Sequence, residues 1–463
     1  MSATTSRPSA YRVTNPSTEE VVARYNEHSD SEIDGFLAKS ATGFELWRRT
    51  SYAQRAEPLR KIAALLHEQQ DSLARTMATE MGKPLAQGKA EAAKCALVCE
   101  HYAEHAETML ATYSVKTEMT RSEVIYRPLG TIFAIMPWNF PLWQVFRAAA
   151  PNLMAGNTII LKHAPCVPQT ALAMEALFRK AGFPEGVFIN VFASDAQAEN
   201  IIASPSVKGV CLTGSGRAGS AVAATAGRHL KRSLLELGGS DPYIVLADAD
   251  LELAAEKTVF SRMLNNGQTC ISAKRFIVVE SVAEEFTQRV LTEMVKYKLG
   301  DPLEEGITQG PMARADLCQQ LQDQVDRAVA AGAGILCGGK QIDRKGHFFP
   351  ATLLTDVQPD SPAFEEELFG PVGSIITTKS TEEAIALANN SRYGLGCAIF
   401  TADTKHGLHL AANEISAGTC VINDFVRSDP RLPFGGINDS GFGRELGVEG
   451  IKEFVNIKTI AVG

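Results

Sequence analysis

The chain of 463 residues is most easily read first through what it lacks. No apolar run approaches the roughly 18 residues that a membrane-spanning helix needs. The opening stretch MSATTSRPSAYRVTNPSTEE has no apolar segment of the kind a secretory signal carries. Lysine and arginine nowhere cluster with interleaved aromatics, and the net charge is -8, which argues against a nucleic-acid partner. No two cysteines stand in C-x-x-C spacing, so a zinc ribbon or a thioredoxin-type motif has no support, and no metal site is expected. The nine cysteines are odd in number and spread along a long chain, which reads as reduced thiols in a cytoplasmic protein. There is no internal repeat, no low-complexity tract and no Pro/Gly linker long enough to separate independent domains.

What is present is ordinary for a folded protein: 45% hydrophobic and 21% charged residues. The length exceeds what one hydrophobic core sustains, so two or more domains are expected. The first third is helical. Ser29 and Glu32 in SDSE make a capping box, and Ile33, Phe36, Leu37, Phe44 and Trp47 follow at helical spacing. A second helix carries Leu59, Ile62, Leu66, Leu73 and Met77 and stops near Gly82-Lys83-Pro84. A third runs from about Ala86 to Leu110, with Cys95 and Cys99 on one core-facing stripe. SEVIYRPLGTIFAIMP then reads as two strands around Pro128–Gly130. Beyond it, strands such as NTIILKH, VFINVF and VKGVCLTG alternate with helices, and a second alternating set follows Pro242. This pattern predicts an α/β fold of two parallel-sheet lobes in series.

Several short stretches carry chemistry. LNNGQTCIS frames Cys270 with small, polar residues and a glycine, where a merely structural cysteine usually has apolar neighbours. TGSGRAG, Thr213–Gly219, fits the G-x-G-x-x-G pattern of a nucleotide-binding turn, with Glu236 seventeen residues further on as a ribose carboxylate. Its helix N-terminus would receive a pyrophosphate on free N–H groups. Yet Glu236 also lies in the apolar LLELGGSDP, where desolvation would raise its pKa toward that of a general base. PWNFP fixes Asn139 between two prolines and two aromatics, as a preorganised donor would be. EEELFGP and PFGGINDSGFGRELG, taken alone, read as charged, glycine-rich loops.

Together, and in this order, PWNFP, LELGG, NNGQTC, EELFGPV, YGLGCAIFT and GGINDSGFGRELG resemble the aldehyde dehydrogenase superfamily over nearly the whole chain. MPWNFPLW, LKHAP, ELGGSDP and SAKRFIV are most similar to its bacterial succinate-semialdehyde dehydrogenases. The resemblance implies that Cys270 is the nucleophile, that Asn139 and the Cys270 backbone N–H form the oxyanion hole, and that Glu236 is the general base. It implies NAD or NADP as cofactor, held by Trp138, Lys162, Thr213, Gly214, Ser215, Glu367 and Phe369. Pro165 stands where many NAD-preferring members have a glutamate, so a 2'-phosphate is not repelled there. For the substrate, the best expectation is succinate semialdehyde; the alternatives are another small or aliphatic aldehyde, or a cysteine acyltransferase or hydrolase, which would need a histidine base that no motif pairs with Cys270. Arg147, six residues after Pro141, matches an arginine that holds a distal carboxylate, or serves packing or an ion pair; a second such arginine is replaced by Leu264. Arg427, Ser428 and Arg431 occupy the late loop where other members contact substrate. The implied organisation is a cofactor domain of residues 1–110 and 129–236 and a catalytic domain of residues 237–432. Residues 111–128 and 447–463 are the implied oligomerisation segments, joining a homodimer or homotetramer.

Overall fold

The computed structural model describes residues 11–463. Residues 1–10, on which the reading of a missing leader partly rests, lie outside the described residues. The chain opens with a β-hairpin, Tyr11–Thr14 and Val21–Tyr25, which the sequence reading passed over. The helix Asp30–Trp47 starts where the capping box predicts: the Ser29 N–H donates to Glu32 Oε2 at 2.7 Å and the Glu32 N–H to Ser29 Oγ at 3.3 Å. The single helix expected through Leu59 and Met77 is two helices, Tyr52–Glu68 and Gln70–Met81. The chain leaves helical geometry at Gln69 (φ -103°, ψ 11°), yet Leu59, Ile62, Leu66, Leu73 and Met77 stay buried on both sides of the break. The bend lets both helices keep their apolar stripe on the long helix Leu85–Met109, where Cys95 and Cys99 are buried as expected.

Two large sheets follow. The first has six strands in the order Gly441–Phe442, Arg232–Glu236, Val207–Thr213, Thr131–Met136, Thr158–His163, Phe188–Asn190. All are parallel except the first, which returns from near the C-terminal end of the sequence to pair antiparallel with Arg232–Glu236. The second has seven strands, in the order Gly334–Cys337, Thr352–Thr355, Val372–Thr378, Ala273–Val279, Asp241–Val245, Gly396–Phe400, Thr419–Ile422; only Gly334–Cys337 is antiparallel. The two strands read around Pro128–Gly130 separate. Thr131–Met136 joins the six-stranded sheet, whereas Arg121–Pro128 pairs with Tyr113–Ser114 and Val455–Val462 in a small antiparallel sheet. Val455–Val462 is an edge of that sheet and is exposed beyond its first residue.

The topology decides where a ligand can sit. In the six-stranded sheet the chain winds outward from Thr131–Met136 in one direction, then returns to wind the other way from Val207–Thr213. Between those two strands the winding reverses, and such a switch point opens a crevice at the carboxyl ends of the strands. Pro137-Trp138-Asn139 leaves one strand end there and Gly214-Ser215 the other. The neighbouring strand Arg232–Glu236 runs on through Gly238-Gly239 directly into Asp241–Val245, the first strand of the second sheet. The carboxyl ends of one sheet therefore face the amino ends of the other, and Cys270 stands in the turn just before Ala273–Val279.

Candidate active site

The turn that presents Cys270 is built on unusual backbone. Asn265 (φ 55°), Asn266 (φ 58°) and Gly267 (φ 75°) are three successive left-handed residues. A Cβ at Gly267 would collide with the Gly370 carbonyl, so this position takes only glycine. The left-handed conformation costs about 1–2 kcal/mol at each non-glycine residue. It is offset by hydrogen bonds, which is what the two asparagines are for. Asn265 Nδ2 donates to the Asn139 carbonyl at 2.7 Å. Asn266 Nδ2 donates to the carbonyls of Gly82 (2.8 Å) and Pro311 (3.0 Å), and its Oδ1 accepts from the Gly310 N–H at 2.7 Å. Gln268 Oε1 accepts from the Ala313 N–H at 2.9 Å. The polar turn is thus buried and braced from several sides, not a solvent-facing loop.

Around Cys270 the expected catalytic residues converge. Asn139 is buried and gives one amide hydrogen to the Gln268 carbonyl at 3.0 Å, which leaves its second hydrogen free. Among the described residues no acceptor takes the Cys270 backbone N–H. Glu236 is 2% exposed, and among the described residues neither of its carboxylate oxygens has a hydrogen-bond partner. Burial raises its pKa well above the carboxylate range, with Arg147 opposing. An unpaired buried carboxylate facing a thiol is a functional arrangement more than a stabilising one. Its ribose role is not favoured, because its side chain lies against Gly435 and outside the nucleotide-sized cavity described below. Cys270 is half-buried, and desolvation pushes its thiol up to about 12, with Arg147 and Lys274 pulling the other way. A thiol in this setting becomes a thiolate only when a base takes its proton.

Two cavities meet at Cys270. One, of about 880 Å³, is lined by Trp138, Asn139, Thr213, Gly214, Ser215, Glu367 and Phe369. Six of the seven residues expected to hold the cofactor are thereby brought together. Ser215 caps the helix Gly216–Arg228, accepting from the Ala218 N–H at 3.3 Å, so the free N–H groups of the first turn open on the cavity. Trp138 and Phe369 meet edge to face at 5.9 Å. Glu367 accepts from the Gly239 N–H at 3.1 Å and pairs with Lys274 at 3.2 Å. The seventh, Lys162, does not line this cavity. It lies on the strand Thr158–His163 and reaches Asp195 at 3.4 Å. The second cavity, of about 850 Å³, is lined by Arg147, Arg427 and Ser428, with Trp143, Phe425 and Phe434. Arg147 is only 2% exposed and forms an ion pair with Glu445, and its guanidinium also donates to Thr213 Oγ1 at 3.2 Å. Of the two roles open to it in the sequence, the ion pair is present. Arg431 is bound to Asp429 and is absent from the cavity wall.

Three residues escaped the sequence reading. Lys274, fully buried, holds the carbonyls of Thr269 (3.0 Å) and Cys270 (2.6 Å) while pairing with Glu367, and so ties the Cys270 turn to the cavity that Glu367 lines. Its signal was available: it lies four residues after Cys270, in SAKRFIV. Glu445 sits in the quoted GFGRELG, but only the fold brings it to Arg147. Lys94, on the long helix, lines the second cavity and had no signal beyond a charge amid alanines and cysteines.

Comparison with known proteins shows the family. Residues 3–460 match the aldehyde dehydrogenase family. The chain belongs to that family. A Synechocystis relative named "probable succinate-semialdehyde dehydrogenase", NADP(+), is 48% identical over 96% of this chain and 98% of its own length. An Escherichia coli succinate semialdehyde dehydrogenase, NAD(P)+, is 45% identical over 96% of both chains. The solved structure of succinic semialdehyde dehydrogenase from Streptococcus pyogenes, in complex with NADP+, superposes with a TM-score of 0.95 at 37% identity, covering 98% of this chain and 99% of that one.

Proposed function

We propose that the protein oxidises succinate semialdehyde to succinate with NAD or NADP. The observation that carries the reading is the meeting of two cavities at a single half-buried thiol beside an unpaired carboxylate. Cys270 Sγ adds to the aldehyde carbon as its proton passes to Glu236. The oxyanion accepts from the free amide hydrogen of Asn139 and from the Cys270 N–H, donors fixed before the charge develops. When bound, the nicotinamide cofactor supplies the hydride acceptor for this adduct. The Ser215-capped helix and Glu367 would hold the pyrophosphate and ribose, and Trp138 and Phe369 would pack near the ring. A thioester remains on Cys270. Glu236 passes the proton it took from the thiol to solvent; its carboxylate then takes a proton from the water that attacks the thioester, and that proton returns to the departing Cys270 thiolate as the acid leaves. The relatives' names and the cations on the substrate cavity support an aldehyde with a distal carboxylate.

Absorbance at 340 nm, followed for an aldehyde panel with both cofactors, tests this. Succinate semialdehyde should be the best substrate, and an enzyme that preferred butanal would remove the carboxylate from the proposal. We propose further that the protein is a cytoplasmic homodimer or homotetramer joined through residues 111–128 and 447–463. The exposed edge strand Val455–Val462 supports this, because an unpaired edge of that length invites a partner strand. Sedimentation showing only monomer at micromolar concentration would contradict it. Among the described residues no helix is long and apolar enough to cross a membrane.

A further inference from the structure

If the aldehyde carries a distal carboxylate, as proposed above, a cation without a partner carboxylate is the strongest group the substrate cavity could offer it. Four cationic side chains line it: Lys94, Arg147, Lys296 and Arg427. Three are committed. Arg147 is paired with Glu445, Lys296 with Glu293, and Arg427 with Asp424 at 2.7 Å, where its side chain is 59% exposed. Among the described residues, Lys94 alone of the four has no carboxylate within ion-pair distance.

The neighbours of Lys94 explain why. Glu91, three residues earlier on the same helix, is used up by Lys83 and by the N–H groups of Leu142 (2.8 Å) and Trp143 (2.9 Å). Asp429 is held by Arg431. Lys94 Nζ instead donates to Ser428 Oγ at 2.8 Å and stands 4.2 Å from the centre of the Trp143 ring. An ammonium has three hydrogens, and one is spent on Ser428. Ser428 accepts there, so its own hydroxyl hydrogen is free to donate. Lys94 and Ser428 can therefore each give a hydrogen bond to one carboxylate, from a wall shared with Cys270. Desolvation and the nearby Arg147 lower the Lys94 pKa to about 8, the behaviour of a cation that lacks a partner anion.

We propose that Lys94, together with Ser428, is the specificity-determining pair that grips the distal carboxylate of the substrate. Arg147, bound to Glu445 and Thr213, lines the same cavity beside this pair. The test compares kcat/KM for succinate semialdehyde and for butanal in the wild type, Lys94→Met and Lys94→Arg, with thermal melts to establish folding. Lys94→Met should lose about 10–150-fold on succinate semialdehyde, chiefly in KM, and stay within about twofold on butanal. Lys94→Arg, which keeps the charge, should recover most of the loss. Equal losses on both aldehydes, or no loss on succinate semialdehyde, would overturn the proposal while leaving the substrate assignment standing. A wild type with no preference for succinate semialdehyde would instead overturn the assignment, and this proposal with it. Should Lys94→Met not fold, Ser428→Ala reads the same ratio through the other half of the grip, and unchanged selectivity there would also count against the pair.

Discussion

The two cavities that meet at Cys270 are nearly equal in size and opposite in construction. The one assigned to the cofactor is made by backbone: strand ends, a helix N-terminus, and the glycines at 214, 216 and 238. The one assigned to the aldehyde is made by side chains, among them Phe140, Trp143, Phe260, Tyr297, Phe425 and Phe434, brought from helices and loops far apart in sequence. A site built from backbone accepts one ligand and resists retuning, because amide groups do not change when side chains do. A site built from side chains can be re-specified by one substitution. On the proposed mechanism, then, a single thiol and a single base serve any aldehyde, and selectivity falls to the side-chain-built cavity.

The contrast can be broken or sharpened by substitution. The largest effect is expected from Cys270→Ala, which removes the point shared by both cavities. Turnover should vanish for every aldehyde, while NAD(P)H binding, followed by its fluorescence, should persist. Next is Glu236→Gln, with a loss of about 100–10,000-fold. This variant should release one burst of NAD(P)H and stall, with an acyl group on Cys270 visible by mass spectrometry. The sign of the pH dependence follows from burial. The Glu236 pKa is raised, so its basic form is gained only as pH climbs through that raised value. Deacylation should therefore accelerate with rising pH in the wild type and be flat in Glu236→Gln. Normal turnover with weakened cofactor binding would instead revive the ribose role. Asn139→Ala should lower kcat by about 100–1000-fold on all aldehydes alike, since an oxyanion donor does not sense the far end of the substrate. A selective loss would move Asn139 to the substrate wall. The smallest effect is expected from Ser215→Ala. Losing this cap should cost about 0.5–2 kcal/mol in urea unfolding and raise the cofactor KM while leaving the aldehyde KM unchanged.

The same contrast explains what could be read from the sequence. Backbone-built sites leave local signatures, because close approach demands glycine and proline at fixed places. TGSG, LELGG and NNGQTC are such signatures, and the residues they name stand around one centre. Gly239 illustrates the reason: an ideal Cβ there would lie 2.9 Å from the Cys270 carbonyl. The G-x-G-x-x-G match names a turn that opens on the cavity of about 880 Å³ and, through the spacing to Glu236, a carboxylate that does not line it. Spacing along the chain cannot tell on which side of a strand end a side chain emerges. Lys94 and Glu445 were invisible for a different reason. Each takes its meaning from a partner far away in sequence, Ser428 and Arg147 respectively, and nothing local marks the pair. In the fold, the alternating strands were legible from their apolar runs. The break at Gln69 was not, because the apolar stripe continues across it.

The braced turn before Cys270 also governs how the protein ages. Asn266-Gly267 is the kind of dipeptide in which a backbone nitrogen most easily attacks the preceding side-chain amide, since glycine offers no steric hindrance. In the native state three hydrogen bonds immobilise that amide, and the backbone around it is fixed. Deamidation would replace its donor nitrogen with an oxygen set against the carbonyls of Gly82 and Pro311, and the turn could not close again around its nucleophile. The hydrogen bonds that hold the thiol in place therefore also act as a chemical preservative, and the working lifetime of the active site is tied to how seldom this one turn opens.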